Sequence, residues 1–246
     1  MKKVIIFFLA LGVSLSSFGQ NSKEKDLNDF DRIILSPHIN LVLTKGDKEH
    51  IRVEYDNVSL QDINVEVSGN TLRIFLENAK IIEKQEKYDY SYSRSIYHDA
   101  KITAYVTFQD LEYLEIRGDQ RVVVESPIRA DQFRLRIYGE NYVRLTNIQT
   151  EYFKASLYGE NDLNIEEGKV EYQKYTMYGE NAVDVSRVRS LHSTAKVYGE
   201  SEITLHAEHE LQVTALGEGI IMYSGNPKVN RGLIIGEPKI LDRDLK

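Results

Sequence analysis

Acidic side chains recur at a fixed interval in the middle of the chain, and they are the first candidates for chemistry. Each stands in the phrase Tyr-Gly-Glu-Asn or Tyr-Gly-Glu-Ser, and the phrase repeats every twenty residues. The members are Glu140, Glu160, Glu180 and Glu200, with Asp119 and Glu218 as less regular outer members. Carboxylates gathered in one column could bind calcium, which prefers carboxylate and amide oxygens. They could also supply the two acids that glycoside cleavage requires.

A catalytic pair of carboxyl groups needs two different environments, so that one is protonated while the other is ionised. The repeated glutamates have nearly the same neighbours in sequence. We therefore predict no catalytic residue, and a polysaccharide-acting enzyme, lyase or hydrolase, is kept only as the alternative function. No cofactor is predicted, and calcium at the glutamate column is left open. A solvated column whose side chains splay apart is the simpler interpretation.

Tyrosines precede the same glycines and form the second candidate surface. They are Tyr138, Tyr158, Tyr178 and Tyr198. Each follows an inward-facing apolar position, so alternation along a strand places it outward. The hypothesis is either a stack of rings that stabilises the sheet, or a binding surface for a glycan or a protein segment.

A polar segment over residues 83–101 carries a further run of tyrosines, Tyr88, Tyr90 and Tyr92. Alternation of Tyr with small polar residues is typical of an exposed hairpin. It also suits a recognition loop, because Tyr supplies a large contact area at low rotamer entropy. Both interpretations remain open.

Strands must position these residues. Aligned on the glycine, the positions two before it and four after it are apolar in every repeat: Ile116, Ile137, Leu157, Met177 and Val197, then Val122, Val143, Leu163, Val183 and Ile203. This alternation on both sides of a turn predicts two short strands per repeat. Repeats of about twenty residues stack as parallel coils at roughly 4.8 Å. The predicted fold is all-β, a right-handed parallel β-helix or β-solenoid with less regular N-terminal strands.

Stacked coils turn like positions into columns. The glycine column is predicted to be a structural turn that needs an unusual backbone or close approach between coils. Its members are Gly118, Gly139, Gly159, Gly179, Gly199 and Gly217. Asn141, Asn161 and Asn181 are predicted to form a structural ladder of side-chain amides.

Segment boundaries follow from composition. Residues 1–19 combine two lysines, an apolar run and small residues, which is typical of a secretory signal peptide. We expect a flexible polar leader over 20–28, one domain over 29–240 and a charged tail over 241–246. The chain has no cysteine, so disulfides are excluded.

Charge and hydropathy limit the partners. The formal net charge is −7, and no basic cluster is visible along the sequence. This argues against nucleic acid and anionic lipid as ligands. No apolar run after the signal is long enough to span a membrane. We expect an exported protein in the periplasm, on the cell surface or outside the cell, with an envelope protein or glycan as partner and homo-oligomerisation left open.

The glycine repeats, together with the closing residues Gly217, Gly219, Tyr223, Gly225 and Pro227, resemble the DUF2807 family, the auto-transporter adhesin head GIN domain of Bacteroidetes envelope proteins. The resemblance covers roughly residues 29–240. It implies an exported β-helical domain with a role in adhesion, and no catalytic residues. The chain departs from the family where Tyr and Glu flank the glycine in place of Ser-Gly-Ser-Gly.

Overall fold

The computed structural model describes residues 21–81, 85–89 and 92–245. The predicted signal peptide lies outside these residues, and so does Tyr90. The side chains of Tyr88 and Tyr92 are likewise outside the description.

Among the described residues before Tyr113, the structure has nine strands and one short 3-10 helix, at Leu60–Asp62. The strands are β1 (Asn21–Asp26), β2 (Arg32–Leu35), β3 (Asn40–Lys45), β4 (His50–Asp56), β5 (Ile63–Ser68), β6 (Thr71–Leu76), β7 (Gln85–Asp89), β8 (Tyr92–Ser95) and β9 (Lys101–Phe108).

The repeat region alternates between a strand that ends at the repeated glycine and a short strand that follows it. In order they are β10 (Tyr113–Gly118), β11 (Arg121–Val124), β12 (Ile128–Gly139), β13 (Tyr142–Leu145), β14 (Ile148–Gly159), β15 (Asp162–Ile165), β16 (Gly168–Gly179), β17 (Ala182–Val185), β18 (Val188–Gly199), β19 (Glu202–Ala207), β20 (Glu210–Gly217), β21 (Ile220–Gly225), β22 (Lys228–Gly236) and β23 (Lys239–Asp242).

These strands stack in two parallel sheets, and the predicted β-solenoid is confirmed. Strands β10, β12, β14, β16, β18, β20 and β22 are neighbours in one sheet, and the short strands from β11 to β23 are neighbours in the other. The register joins Gly139 to Gly159, Gly159 to Gly179, and Gly179 to Gly199. One coil therefore corresponds to about twenty residues. The right hand of the coil stays a prediction.

The strands that end at the glycine are longer than predicted, because alternation continues further back. Ile128, Ile148 and Val188 are buried eleven residues before their glycines, and the strands β12, β14, β16 and β18 each run for twelve residues. The ladder skips Asp131, Glu151 and Glu171, and the alternation of buried and exposed side chains shifts by one residue there. We call this break in each long strand the bend; it separates a short arm before it from a long arm after it.

Chain order and stacking order differ at the N-terminal end. Strand β2 lies between β6 and β10, and β3 lies between β9 and β11, all in parallel pairing. The coil formed by β2 and β3 comes first in the sequence, but it lies between the repeats on one side and strands β6 and β9 on the other. Antiparallel strands complete the lower ends of the two sheets: β5 in one, and β4 followed by β1 in the other. The prediction of less regular N-terminal strands agrees with this arrangement.

The sequence predicted a flexible leader over residues 20–28, but the structure has a strand in this segment. Residues 21–26 form β1, which pairs antiparallel with β4 at the edge of the sheet. All six side chains are exposed, so no apolar alternation marked the strand in the sequence. An unpaired edge of β4 offers backbone donors and acceptors, and a polar segment can satisfy them without burying a side chain.

The interior is one continuous apolar core between the two sheets. Ile137, Leu157, Met177 and Val197 are buried in successive coils, and each covers the next across the strand spacing. At the C-terminal end β23 continues to Asp242, and Asp244 accepts a hydrogen bond from the Gly225 backbone N–H at 2.7 Å. Within the residues described, no helix is long and apolar enough to cross a membrane.

Candidate functional site

The four repeated tyrosines form one column on the outer face of the long arms. Ring centroids of Tyr138 and Tyr158 are 4.9 Å apart, those of Tyr158 and Tyr178 are 5.2 Å apart, and those of Tyr178 and Tyr198 are 4.6 Å apart. The planes are parallel within 13°. Tyr158 is 37% exposed and Tyr178 is 42% exposed. Because the ring faces cover one another, the column presents ring edges and hydroxyl groups to solvent.

Glycine forms the corner directly after each tyrosine. The six predicted turn glycines have φ between 101° and 119°, a region that L side chains rarely adopt. A Cβ atom on Gly199 would lie 2.7 Å from the carbonyl oxygen of Gly179. Backbone conformation and close approach between coils therefore both require glycine here.

The asparagines that follow form a buried amide column. The side-chain amide of Asn141 donates to Asn161 Oδ1 at 2.9 Å, and that of Asn161 donates to Asn181 Oδ1 at 2.9 Å. Asn181 donates to Ser201 Oγ at 3.1 Å and to the Tyr178 carbonyl at 3.1 Å. The column therefore anchors the backbone on which the tyrosines stand.

The glutamate column lies on the far side of the same corner. Glu140, Glu160, Glu180 and Glu200 are all exposed. Each backbone N–H donates to the glycine carbonyl of the preceding coil, as between Glu160 and Gly139 at 2.9 Å. Across the described ranges no three His, Asp or Glu side chains are arranged to hold a metal ion. Calcium binding by the column stays a prediction.

A second aromatic column, which the sequence interpretation missed, stands at the bend of the long strands. Tyr152 and Tyr172 stack at 5.1 Å, and Tyr172 and His192 stack at 4.9 Å. Hydrogen bonds to the adjacent carboxylates, Glu151 and Glu171, raise the pKa of Tyr152 and Tyr172 respectively. Tyr152 and Tyr172 are twenty residues apart, and this spacing could have revealed the column from sequence. It was missed because both residues lie outside the positions near the glycine where the apolar alternation marks the strands.

Between the two aromatic columns lies a set of basic side chains, and the expectation of no basic cluster is wrong. Arg134 is paired with Lys154, and Lys154 with Lys174, in the strand register. Arg136 and Lys196 lie in the adjacent outward column of the same sheet. We call this set the basic strip: Arg134, Arg136, Lys154, Lys174 and Lys196. The five cations are scattered over more than sixty residues of sequence, and only the coil pitch brings them together.

The lower end of the basic strip is a compact ionic cluster. Buried Glu115 accepts hydrogen bonds from Arg117 Nε at 2.7 Å and from the Tyr113 hydroxyl. Arg32 lies over the Tyr113 ring at 4.4 Å, and Arg136 lies over it at 5.9 Å. Burial and then the bond to Glu115 raise the pKa of Tyr113 to about 12.

The polar tyrosine segment of the sequence is only partly described. Strands β7 and β8 form a separate two-stranded antiparallel sheet. Tyr90, and the side chains of Tyr88 and Tyr92, lie outside the described residues. Their role as a recognition loop stays a prediction.

Fold and site together define a β-solenoid that presents a flat, laddered face to solvent. The chain belongs to the DUF2807 family, whose profile, described as "Putative auto-transporter adhesin, head GIN domain", matches residues 29–227. No curated protein sequence matches the chain.

Solved structures share the fold along nearly the whole chain. A "putative adhesin" from Bacteroides fragilis NCTC 9343 has a TM-score of 0.74 at 18% identity, covering 92% of this chain and 98% of that one. A "putative adhesin" from Parabacteroides merdae ATCC 43184 has a TM-score of 0.67 at 16% identity, covering 90% and 95%. A "putative lipid binding protein" from Parabacteroides distasonis ATCC 8503 has a TM-score of 0.64 at 17% identity, covering 92% and 97%. At these identities the likeness is one of fold.

Proposed function

We propose that this protein is an exported, non-catalytic, adhesin-like binding module of the cell envelope, and that it binds through the tyrosine column and the glutamate column beside it. The observation that carries the proposal is the unbroken ring stack from Tyr138 to Tyr198 on the outside of the solenoid. Stacked rings on a continuous sheet lose little further rotamer entropy on binding, so their edges and hydroxyls form a preorganised surface.

A binding role agrees with the way the column is built. The amide column beneath it is hydrogen bonded from Asn141 to Ser201, so the spacing of the tyrosines is held by the core rather than by solvent-exposed contacts. Surfaces of this kind suit partners that extend over several coils. The description of the family as an adhesin supports the same role.

A non-catalytic role is supported by the uniform setting of the glutamates. All four are exposed at equivalent positions of successive coils, so no environment separates an acid from a base. Export is supported by the predicted signal peptide and by the adhesins from Bacteroides and Parabacteroides that share the fold.

The proposal is tested with the double variant Tyr158→Ala/Tyr178→Ala and the control Tyr105→Ala. Tyr105 is half-buried on β9, in the other sheet and below the repeats, away from both columns. Labelled protein is titrated onto intact Bacteroidales cells and onto a glycan array. We expect about a tenfold loss of apparent affinity for the double variant and none for the control. Unchanged binding by the double variant would remove the tyrosine column as the site.

Location is tested separately. The full chain is expressed in a Bacteroides host with a C-terminal tag, and the cells are fractionated. Recovery in the periplasm, outer-membrane fraction or medium is the expected result, whereas recovery in the cytoplasm contradicts export.

A further inference from the structure

The basic strip contains a contact that costs stability and has no compensation among the described residues. Arg134, Lys154 and Lys174 stand in direct register on neighbouring strands. Like charges placed directly opposite one another in a sheet are destabilising. Within the described part of the chain, no carboxylate oxygen lies within 4.0 Å of these three cationic groups. If stability alone determined this surface, acidic side chains would be expected between the three cations.

The cations are close enough to act on one another. Burial, followed by Lys174, Arg134, Arg136 and Lys196, lowers the pKa of Lys154 from its ordinary value. The other four side chains of the strip therefore contribute to the positive field at Lys154. The other residues of these two columns in the same coils are small hydroxyl side chains without charge: Thr176 and Thr194 are half-buried, and Ser156 is buried.

The strip is narrow and has an ordered border on both sides. The Tyr138 to Tyr198 column bounds it at the glycine corner, and the column of Tyr152, Tyr172 and His192 bounds it at the bend. Beyond each aromatic column stand acids: the glutamate column on one side, and Glu151 and Glu171 on the other. A positive strip two columns wide thus runs along the solenoid axis of a protein whose formal net charge is −7.

The small width of the strip and the acids at its borders favour some classes of polyanion over others. A nucleic acid duplex carries phosphates on both strands at high linear density, so its flanks would meet the bordering acids. A single chain with one negative group per sugar or per few sugars fits a strip two residues wide. Tyrosine hydroxyls and ring edges at both borders match the hydroxyls of such a chain.

We propose that the basic strip binds an acidic polysaccharide lying parallel to the solenoid axis, with its carboxylates on Arg134, Lys154 and Lys174 and its sugar hydroxyls on the flanking tyrosines. The proposal rests on the proposed function and names the class of ligand for that face. Because the cations follow one another at the strand spacing, the site is a row of equivalent contacts rather than a closed pocket, and affinity depends on the length of the bound chain.

The chain offers a charge-matched control. Arg129, Lys169 and Arg189 are exposed on the short arms of the same strands β12, β16 and β18. Lys169 and Arg189 are also in register and have no salt bridge among the described residues, but they line one depression with Glu151, Glu171 and Glu208, so acidic side chains surround them. The test variant is Arg134→Gln/Lys154→Gln/Lys174→Gln, and the control is Arg129→Gln/Lys169→Gln/Arg189→Gln; each removes three positive charges.

Binding to polygalacturonate and to neutral dextran is measured by calorimetry for the wild type and both variants. The expected result is binding of polygalacturonate alone, weakened about tenfold or more in the test variant and less than about twofold in the control. Weakening should also follow a rise in salt from about 50 to about 500 mM, because ions screen exposed charges beyond about 10 Å at 0.1 M. If the test variant is poorly folded by circular dichroism, the single charge reversal Lys154→Glu serves instead.

Four outcomes overturn the proposal. They are an absence of binding to polygalacturonate, equal losses in the two triple variants, binding of single-stranded oligonucleotide in preference to polygalacturonate, and self-association of the wild type that the test variant abolishes. The last would assign the strip to a second copy of this chain. If polygalacturonate binding fails while cell binding still depends on Tyr158 and Tyr178, the proposed function stands and only this ligand class is wrong.

Discussion

The rings of Tyr158 and Tyr178, twenty residues apart in sequence, lie 5.2 Å apart with their planes within 5° of parallel. The relationship is possible because the glycine after each ring has positive φ and the asparagine two residues further on is tied to its counterpart in the next coil. The positive φ and the amide hydrogen bonds at the corner thereby order the column of side chains at the surface.

The interior rings of the tyrosine column should contribute more to stability than the terminal ring. Tyr158 stacks on two neighbours and Tyr198 on one. An aromatic pair contributes about 0.5 to 1.5 kcal/mol beyond its burial. We expect Tyr158→Ala to lower the free energy of unfolding by about 1 kcal/mol more than Tyr198→Ala, measured by urea denaturation. Equal losses of unfolding free energy in the two variants would show that ring stacking makes no measurable contribution to stability.

Gly199→Ala should be strongly destabilising. Alanine at φ +115° is strained, and its Cβ would meet the Gly179 carbonyl oxygen. We expect a loss on the order of 3 kcal/mol. The control is Gly69→Ala, where φ is +56° and no atom lies within 4 Å of the new Cβ. That variant should lose only about 1 kcal/mol. A similar loss at both sites would mean that close approach between coils has no part in the requirement.

Asn161→Ala should break the amide column at its centre. The substitution removes the donor to Asn181 Oδ1 and the acceptor for Asn141 Nδ2. Leaving buried polar groups without partners costs about 1 to 3 kcal/mol each. We expect a loss of about 3 kcal/mol and faster hydrogen exchange of the backbone amides at residues 138–142. Asn164→Ala, in the same coil, provides the comparison; Asn164 is half-buried and makes no side-chain hydrogen bond among the described residues, so this variant should change little.

Stability should fall at high pH partly through Tyr113. Its pKa in the folded state is about 12, above an ordinary value near 10. The raised pKa means that the neutral hydroxyl stabilises the fold fully below pH 10, and that this contribution is lost as pH rises from about 10 to 12. The slope from one such group is at most about 1.4 kcal/mol per pH unit. Tyr113→Phe should show a shallower decline of unfolding free energy over that range, and an unchanged slope contradicts the assignment.

Removing a charge from the basic strip should stabilise the free protein at low salt. Lys154 is adjacent to Arg134 and Lys174 and has a lowered pKa. We expect Lys154→Gln to raise the free energy of unfolding by about 0.5 kcal/mol in dilute buffer and by less in about 0.5 M salt. Lys169→Gln is the control and should show a smaller gain, because Lys169 is in register with Arg189 but lines a depression with Glu151 and Glu171. A loss of stability for Lys154→Gln at both salt concentrations would show that its neighbours do not repel it.

The solenoid could be predicted from local sequence because each coil repeats the same arrangement of apolar residues around a glycine. Apolar alternation around the glycine identifies which residues face inward, and the fixed spacing makes equivalent residues vertical neighbours. Gly199, Asn161 and Tyr158 occupy columns for that reason. The same reasoning failed for Asn21–Asp26, whose strand has no buried side chain to mark it.

The sequence by itself determined the pitch, the inward and outward positions, and the composition of the tyrosine, glutamate, asparagine and glycine columns, because these depend on alternation and on φ at single residues. Only the tertiary structure decided the insertion of β2 and β3 beneath the repeats, the bend at Glu151, and the basic strip. The cations keep the twenty-residue spacing, but they vary between Arg and Lys and alternate with Ser156, Thr176 and Thr194, so no repeated phrase marks them in the sequence. Strand register sets their two columns side by side with an aromatic column at each border, and that arrangement depends on contacts between coils that are far apart in sequence.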